Sequence, residues 1–141
     1  MDKKFNRIIF VLSIIGILIA IYVLQSFIRQ TSIICVNSGC ETVRNSSSSY
    51  ILGIPVPAFG LVGYSILAIL SFLRTTSKDK RLLMWILGIA AGGFLFVIWF
   101  TLTEIFIIKA ICTWCAISAG MMTTIFLLAL TSYLKENKKI K

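Results

Sequence analysis

Residues 111–134 read ICTWCAISAGMMTTIFLLALTSYL, a run without a charged side chain that carries two cysteines at its start. A helix needs about 20 predominantly apolar residues to cross the hydrocarbon core of a bilayer, so this stretch predicts a membrane span. Three more uncharged runs precede it, at 8–28, 55–73 and 82–103. With 58% hydrophobic and 13% charged residues, the 141-residue chain falls outside the composition of soluble domains. The expected fold is an all-α integral membrane protein: one domain, 1–141, forming a four-helix transmembrane bundle, with an outward-facing loop and interfacial segment between the first two spans.

The charges lie between those runs. Lys3, Lys4 and Arg7 precede the first, Arg74, Lys78, Lys80 and Arg81 separate the second from the third, and Lys135, Lys138, Lys139 and Lys141 follow the fourth. Arg29, Arg44 and Lys109 occupy the other two connections. Cytoplasmic loops carry the excess of Lys and Arg, which predicts a multi-pass protein of the cell membrane with both termini in the cytoplasm and residues 29–54 as an extracytoplasmic loop. The net charge of +9 is then a topology signal and an attraction to anionic lipid, and no nucleic-acid partner is expected. The first run exceeds the length of a signal-peptide core and lacks a small-x-small cleavage pattern, so it is read as a helix.

That orientation puts all four cysteines on the outer side. Cys35 and Cys40 lie in CVNSGC, and Cys112 and Cys115 open the fourth run. Disulfides persist outside the cytoplasm, which leaves three readings: a zinc site, structural disulfides, or redox-active pairs. Structural zinc sites use paired CxxC-like knuckles, whereas one pair here is CxxxxC, and no metal is expected. The chain has no histidine, which removes imidazole ligands and the usual general base together. A CxxC at a helix start is the redox arrangement, because unpaired N–H groups and the positive end of the helix dipole stabilise thiolate. Two dithiols on one side of a membrane can pass a disulfide between them by exchange.

The stretch CETVRNSSSSYILGIPVPAFGLVGY at 40–64, followed by ICTWCAIS at 111–118, resembles the vitamin K epoxide reductase family, specifically its prokaryotic homologues without a fused thioredoxin-like domain. The resemblance covers 8–134 and rests on the loop cysteine pair, Ser46, Gly53-Ile54-Pro55, Gly60, Tyr64 and the CxxC. The loop pair precedes the CxxC, the reverse of the order in DsbB-type enzymes. The resemblance implies a helical bundle around a quinone of the menaquinone, ubiquinone or vitamin K type. It implies that Cys115 faces the quinone and forms the active-site disulfide with Cys112, that Cys40 attacks Cys112, and that Cys35 exchanges with a separate thioredoxin-fold, DsbA-like partner outside the cytoplasm. It gives Ser46 a hydroxyl role near the quinone, where a plain reading of NSSSSY is a solvated polar loop. Two positions depart from the family pattern: Ser48 stands where many members have Trp, and Ala119 where the animal enzymes have Tyr. A plain quinone therefore fits better than vitamin K epoxide.

Of the aromatic residues, Phe59, Tyr64, Phe94, Trp99, Phe106 and Trp114 could line a ring-shaped pocket, with Phe59 and Trp114 foremost because they adjoin the motif residues. Tyr50 is expected as an interfacial anchor. Gly88 with Gly92, and Gly60 with Gly63, predict close helix approach. Glu104 and Lys109 are expected as a solvated pair at the turn into the fourth span. The function this implies is a quinone-dependent thiol oxidoreductase supporting disulfide formation. Its alternatives are a quinone or vitamin K epoxide reductase using a dithiol donor, and a non-enzymatic membrane subunit with structural cysteines.

Overall fold

The computed structural model describes residues 3–29, 42, 45–47, 50–77, 79–110 and 113–140. Its four long helices are α1 (Lys3–Arg29), α2 (Val56–Thr76), α3 (Lys80–Thr103) and α4 (Thr113–Ile140). Each contains a stretch long and apolar enough to cross a membrane. Consecutive helices pack on one another and α1 also packs on α4, which closes the bundle into a ring. Large apolar side chains such as Leu18, Trp85, Leu95 and Phe106 remain exposed on its outer surface, as a lipid-facing bundle requires. This is a multi-pass membrane protein.

Several hydroxyls inside α1, α3 and α4 are satisfied within their own helices. Ser13 Oγ donates to the Ile9 carbonyl at 2.7 Å, Thr103 Oγ1 to Trp99 at 2.9 Å and Thr123 Oγ1 to Ala119 at 2.8 Å. Such bonds to the preceding turn hide a polar group where no water competes.

Ties between helices collect at the end of the bundle that holds the start of α1 and the end of α4. Asn6 Nδ2 donates to the Ser71 carbonyl at 3.0 Å and to Thr75 Oγ1 at 3.1 Å, joining α1 to α2. Arg74, 6% exposed, donates from Nη2 to Glu136 Oε1 at 2.7 Å and joins α2 to α4. Lys135 Nζ lies 5.0 Å from the centre of the Phe5 ring.

At the opposite end a two-stranded hairpin leads into α2. Strands β1 (Tyr50–Ile51) and β2 (Ile54–Pro55) pair antiparallel, with Tyr50 opposite Pro55 and Ile51 opposite Ile54. The two turn residues between them both have positive φ, 53° at Leu52 and 81° at Gly53, the signature of a type I′ turn. Glycine accepts this freely, whereas Leu52 adopts it at a cost of about 1 kcal/mol. A hairpin this short needs a surface to rest on. Tyr50 and Ile51 pack on a buried cluster of Val23, Phe27, Val56 and Phe100, with the Tyr50 ring centre 5.7 Å from that of Phe27. Tyr50 is thus a packed, half-buried side chain. Pro55 precedes α2 and Pro57 lies in its first turn, where a missing N–H costs nothing.

The third apolar helix continues beyond residue 103. A π-helical turn, Glu104–Ile108, follows α3 without a break and ends at Lys109 in the left-handed conformation, φ 60°. The Ala110 N–H then donates to the Glu104 carbonyl at 3.1 Å. Glu104 is 2% exposed, so the expected solvated Glu104–Lys109 pair does not form: the wide turn carries the carboxylate inward and leaves Lys109 outside.

The expectation of close approach at Gly88, Gly92, Gly60 and Gly63 is also corrected. A Cβ placed on any of them would meet nothing within 4 Å. The close contacts are at Gly16, where a Cβ would lie 2.5 Å from a Tyr64 ring carbon, and at Gly93, where it would lie 2.8 Å from the Met122 methyl carbon. Gly16→Ala should therefore cost about 1–3 kcal/mol by displacing that ring, read as lowered thermal stability in detergent or nanodiscs. Glu136→Ala, which leaves Arg74 buried without its carboxylate, should cost about 3 kcal/mol, while the double variant Arg74→Met/Glu136→Met should recover most of the loss. A double variant as unstable as the single one would show that the pair itself holds the bundle.

Candidate quinone cavity

A cavity of about 300 Å³ opens among the four helices, at the low end of the range for small-molecule sites. It is built from what small residues leave unfilled. Gly60 and Gly63 of α2 and Gly92 of α3 all lie on its wall, which explains why nothing approaches their Cβ positions. The glycines keep the α2–α3 seam open. Val62 and Ile66, 58% and 38% exposed, belong both to the cavity wall and to the outer surface of α2. The cavity therefore reaches the apolar outer face sideways, which is the route a lipid-soluble ligand needs.

The walls are mostly apolar. Ile19, Ala20 and Val23 form the α1 side, while Phe59, Phe96 and Phe100 supply rings. The Phe59 and Phe96 ring centres are 6.0 Å apart and tilted by 41°, an arrangement that favours flat conjugated ligands. Trp114 and Cys115, in the first turn of α4, form the end nearest the hairpin. Tyr50, Ile51 and Ala110 pack into the same cluster as Trp114 and Cys115, which puts the hairpin beside this end. The Trp114 ring is held from α1 by Tyr22, ring centres 5.2 Å apart. Cys115 is half-buried and touches the cavity.

One turn further along α4, Ser118 lies on the same wall. Tyr64 reaches it across the bundle: the two hydroxyl oxygens are 2.9 Å apart, and Tyr64 Oη also lies 3.0 Å from the Ser118 carbonyl oxygen. The Tyr64 ring sits against Gly16. Thr101 is another hydroxyl on the wall.

Among the residues singled out from the sequence, the structure brings Phe59, Tyr64, Trp114 and Cys115 to one cavity. Phe94 turns away and stacks on Phe126, ring centres 4.8 Å apart, because it lies two residues from Phe96 and so on another face of α3. Trp99 and Phe106 are also off this wall, and Phe106 faces outward. Ser46 is half-buried but does not contribute to the lining as the described residues form it. Cys35, Cys40 and Cys112 lie outside the described residues. Sequence reasoning missed Phe96, Phe100 and Ser118. The first two are spaced by four, one helical face, and Ser118 follows Cys115 by three, so a face count from each motif residue would have found them.

The cavity fits a quinone: apolar walls and rings for the conjugated head, a lateral opening for an isoprenoid tail, and few polar side chains, a cysteine among them, for its oxygens. The sequence pattern of the vitamin K epoxide reductase family matches residues 7–130. A search among curated proteins finds no match. Four membrane-spanning helices and a family match over most of the chain lead to one conclusion: this protein belongs to the vitamin K epoxide reductase family, and so to the membrane-bound oxidoreductases that couple thiols to quinone-type acceptors.

Proposed function

We propose that the protein oxidises a thioredoxin-fold partner outside the cytoplasm and delivers the electrons to a membrane quinone, so supporting disulfide formation. The observation that carries this reading is Cys115 on the wall of an apolar cavity that is open to the bilayer side. The partner's dithiol exchanges with Cys35 and Cys40, and Cys40 passes the reducing equivalents to the Cys112–Cys115 disulfide. When that pair closes again, two thiols lose two electrons and two protons and one S–S bond forms. A quinone in the cavity supplies the two-electron acceptor and leaves as quinol. Phe59, Phe96 and Trp114 hold its ring, and the apolar walls limit water.

Ala119 supports a plain quinone as substrate. Its side chain is not on the cavity wall, so α4 presents only the Ser118 hydroxyl there. The orientation, with both termini cytoplasmic, follows from the basic residues: Arg74 and Lys135 lie at the end of the bundle opposite the hairpin.

Anaerobic quinone reduction tests the relay. The purified protein given a reduced thioredoxin-fold partner should reduce quinone, Cys115→Ser should abolish reduction, and Cys35→Ser should lose the partner while still accepting electrons from a small dithiol. A wild-type protein inactive with both donors would instead leave the cysteines structural. Gly92→Leu gives an independent check. Its side chain enters open space in the cavity, so thermal stability should hold or rise while apparent quinone affinity falls by about tenfold or more, about 1.4 kcal/mol.

A further inference from the structure

Four buried polar atoms at the end of the bundle that carries the termini have no hydrogen-bond partner among the described residues. They are Asn6 Oδ1 on α1, Ser71 Oγ and Arg74 Nη1 on α2, and Ser132 Oγ on α4. Their residues are at most 6% exposed. One turn further in stand Ile9, three residues after Asn6, Leu67, four before Ser71, and Ala129, three before Ser132. These belong to a single buried cluster, so Asn6, Ser71 and Ser132 are the next residues on the same three inward faces. The ties across this layer draw its members together. Asn6 Nδ2 donates to the Ser71 carbonyl at 3.0 Å, and Arg74 crosses the interior to Glu136, one turn beyond Ser132. Buried donors and acceptors are costly to leave unbonded, and four in one layer point to a shared partner.

We propose that this layer is a binding site for ordered water, which joins α1, α2 and α4 through Asn6, Ser71, Arg74 and Ser132. The mixture of atoms selects the ligand. Asn6 Oδ1 only accepts, because the Ser71 carbonyl fixes the amide nitrogen on the other side. Arg74 Nη1 only donates, and the two hydroxyls do either. A water molecule offers two hydrogens and two lone pairs, so it accepts from Arg74 and one serine while donating to Asn6 and the other serine. An anion would face the Asn6 oxygen and the Glu136 carboxylate, and a cation would face the guanidinium. A neutral molecule that both donates and accepts fits every member. Water enters past Glu136, whose side chain is 21% exposed. The layer of Ile9, Leu67 and Ala129 separates the site from the quinone cavity, and the site does not depend on the quinone reading.

Two measurements test the site. In water-edited solid-state NMR of the wild-type protein in lipid bilayers, magnetisation from water protons should reach the Asn6 side-chain amide and the Arg74 guanidinium at early mixing times, before it reaches Ile9 and Leu67. Thermal unfolding of three serine variants then gives a sign. Ser13→Ala sets the baseline, since Ser13 is equally buried but bonds to the Ile9 carbonyl of its own helix. With water in place, Ser71→Ala and Ser132→Ala each remove a bond to it and should lower the Tm a few degrees below that baseline. Without water, the same changes remove an unbonded hydroxyl and should raise the Tm above it. Late transfer to Asn6 and Arg74 would overturn the site, as would Ser71→Ala and Ser132→Ala variants no less stable than Ser13→Ala. Stability that rises with chloride concentration at constant ionic strength would mark an anion in the layer and overturn it as well.

Discussion

The contact between Gly16 and Tyr64 sets the geometry on which the rest of this bundle depends. Inside a membrane the backbone is already satisfied within each helix, and lipid tails are as apolar as leucine, so helix positions are decided by shape and by a few polar contacts. Tyr64 supplies both. Its ring lodges where α1 lacks a side chain, and its hydroxyl reaches Ser118 on α4. Three helices are thereby spaced around one residue, and the room left between them becomes the cavity rather than a packed core. The ring belongs to the buried cluster with Ile9, Leu67, Ile86 and Ile125, so the floor of the site and the centre of the fold are the same structure.

A cavity of this kind is expensive to keep empty. At about 24 cal/mol for each Å³ of void, roughly 300 Å³ would cost about 7 kcal/mol, comparable with the whole stability of many domains. The bundle avoids that cost by leaving the cavity open along the α2–α3 seam, where Gly60, Gly63 and Gly92 let an acyl chain or an isoprenoid occupy it from the side. The opening that admits a lipid-soluble ligand is therefore also what makes the site compatible with a stable fold.

The spans were legible because freedom from charge over about 20 residues is a local property of the chain. The positions of Phe59, Trp114 and Cys115 followed from their neighbours in the motifs. What could not be read locally was which face each residue takes. Gly88 and Gly92 have the spacing of a helix contact, but spacing does not say whether the opposing surface is a helix, a cavity or lipid. Gly16 and Ala20 share that same spacing in α1, yet the spacing names no partner, and the meaning of Gly16 comes from Tyr64, far along the chain. Ser118 was visible inside ICTWCAIS, yet a serine one turn after a cysteine acquires a role only when another helix brings a hydroxyl to it. Glu104 next to an exposed lysine looked solvated, and it took a π turn to direct it inward.

The end of the bundle that carries the termini is tied by polar side chains. Asn6 with Ser71, and Arg74 with Glu136, join three helices by hydrogen bonds at the end that carries the termini. At the other end Tyr50 and Ile51 of the ladder pack on Val23, Phe27, Val56 and Phe100, and the turn of the ladder includes a strained Leu52, 97% exposed. Thiol exchange needs sulfurs that approach and separate, and quinone exchange needs a seam that admits a ring. In the relay proposed above both demands fall at the hairpin end, with Cys115 on α4, a helix anchored through Glu136 at the opposite end.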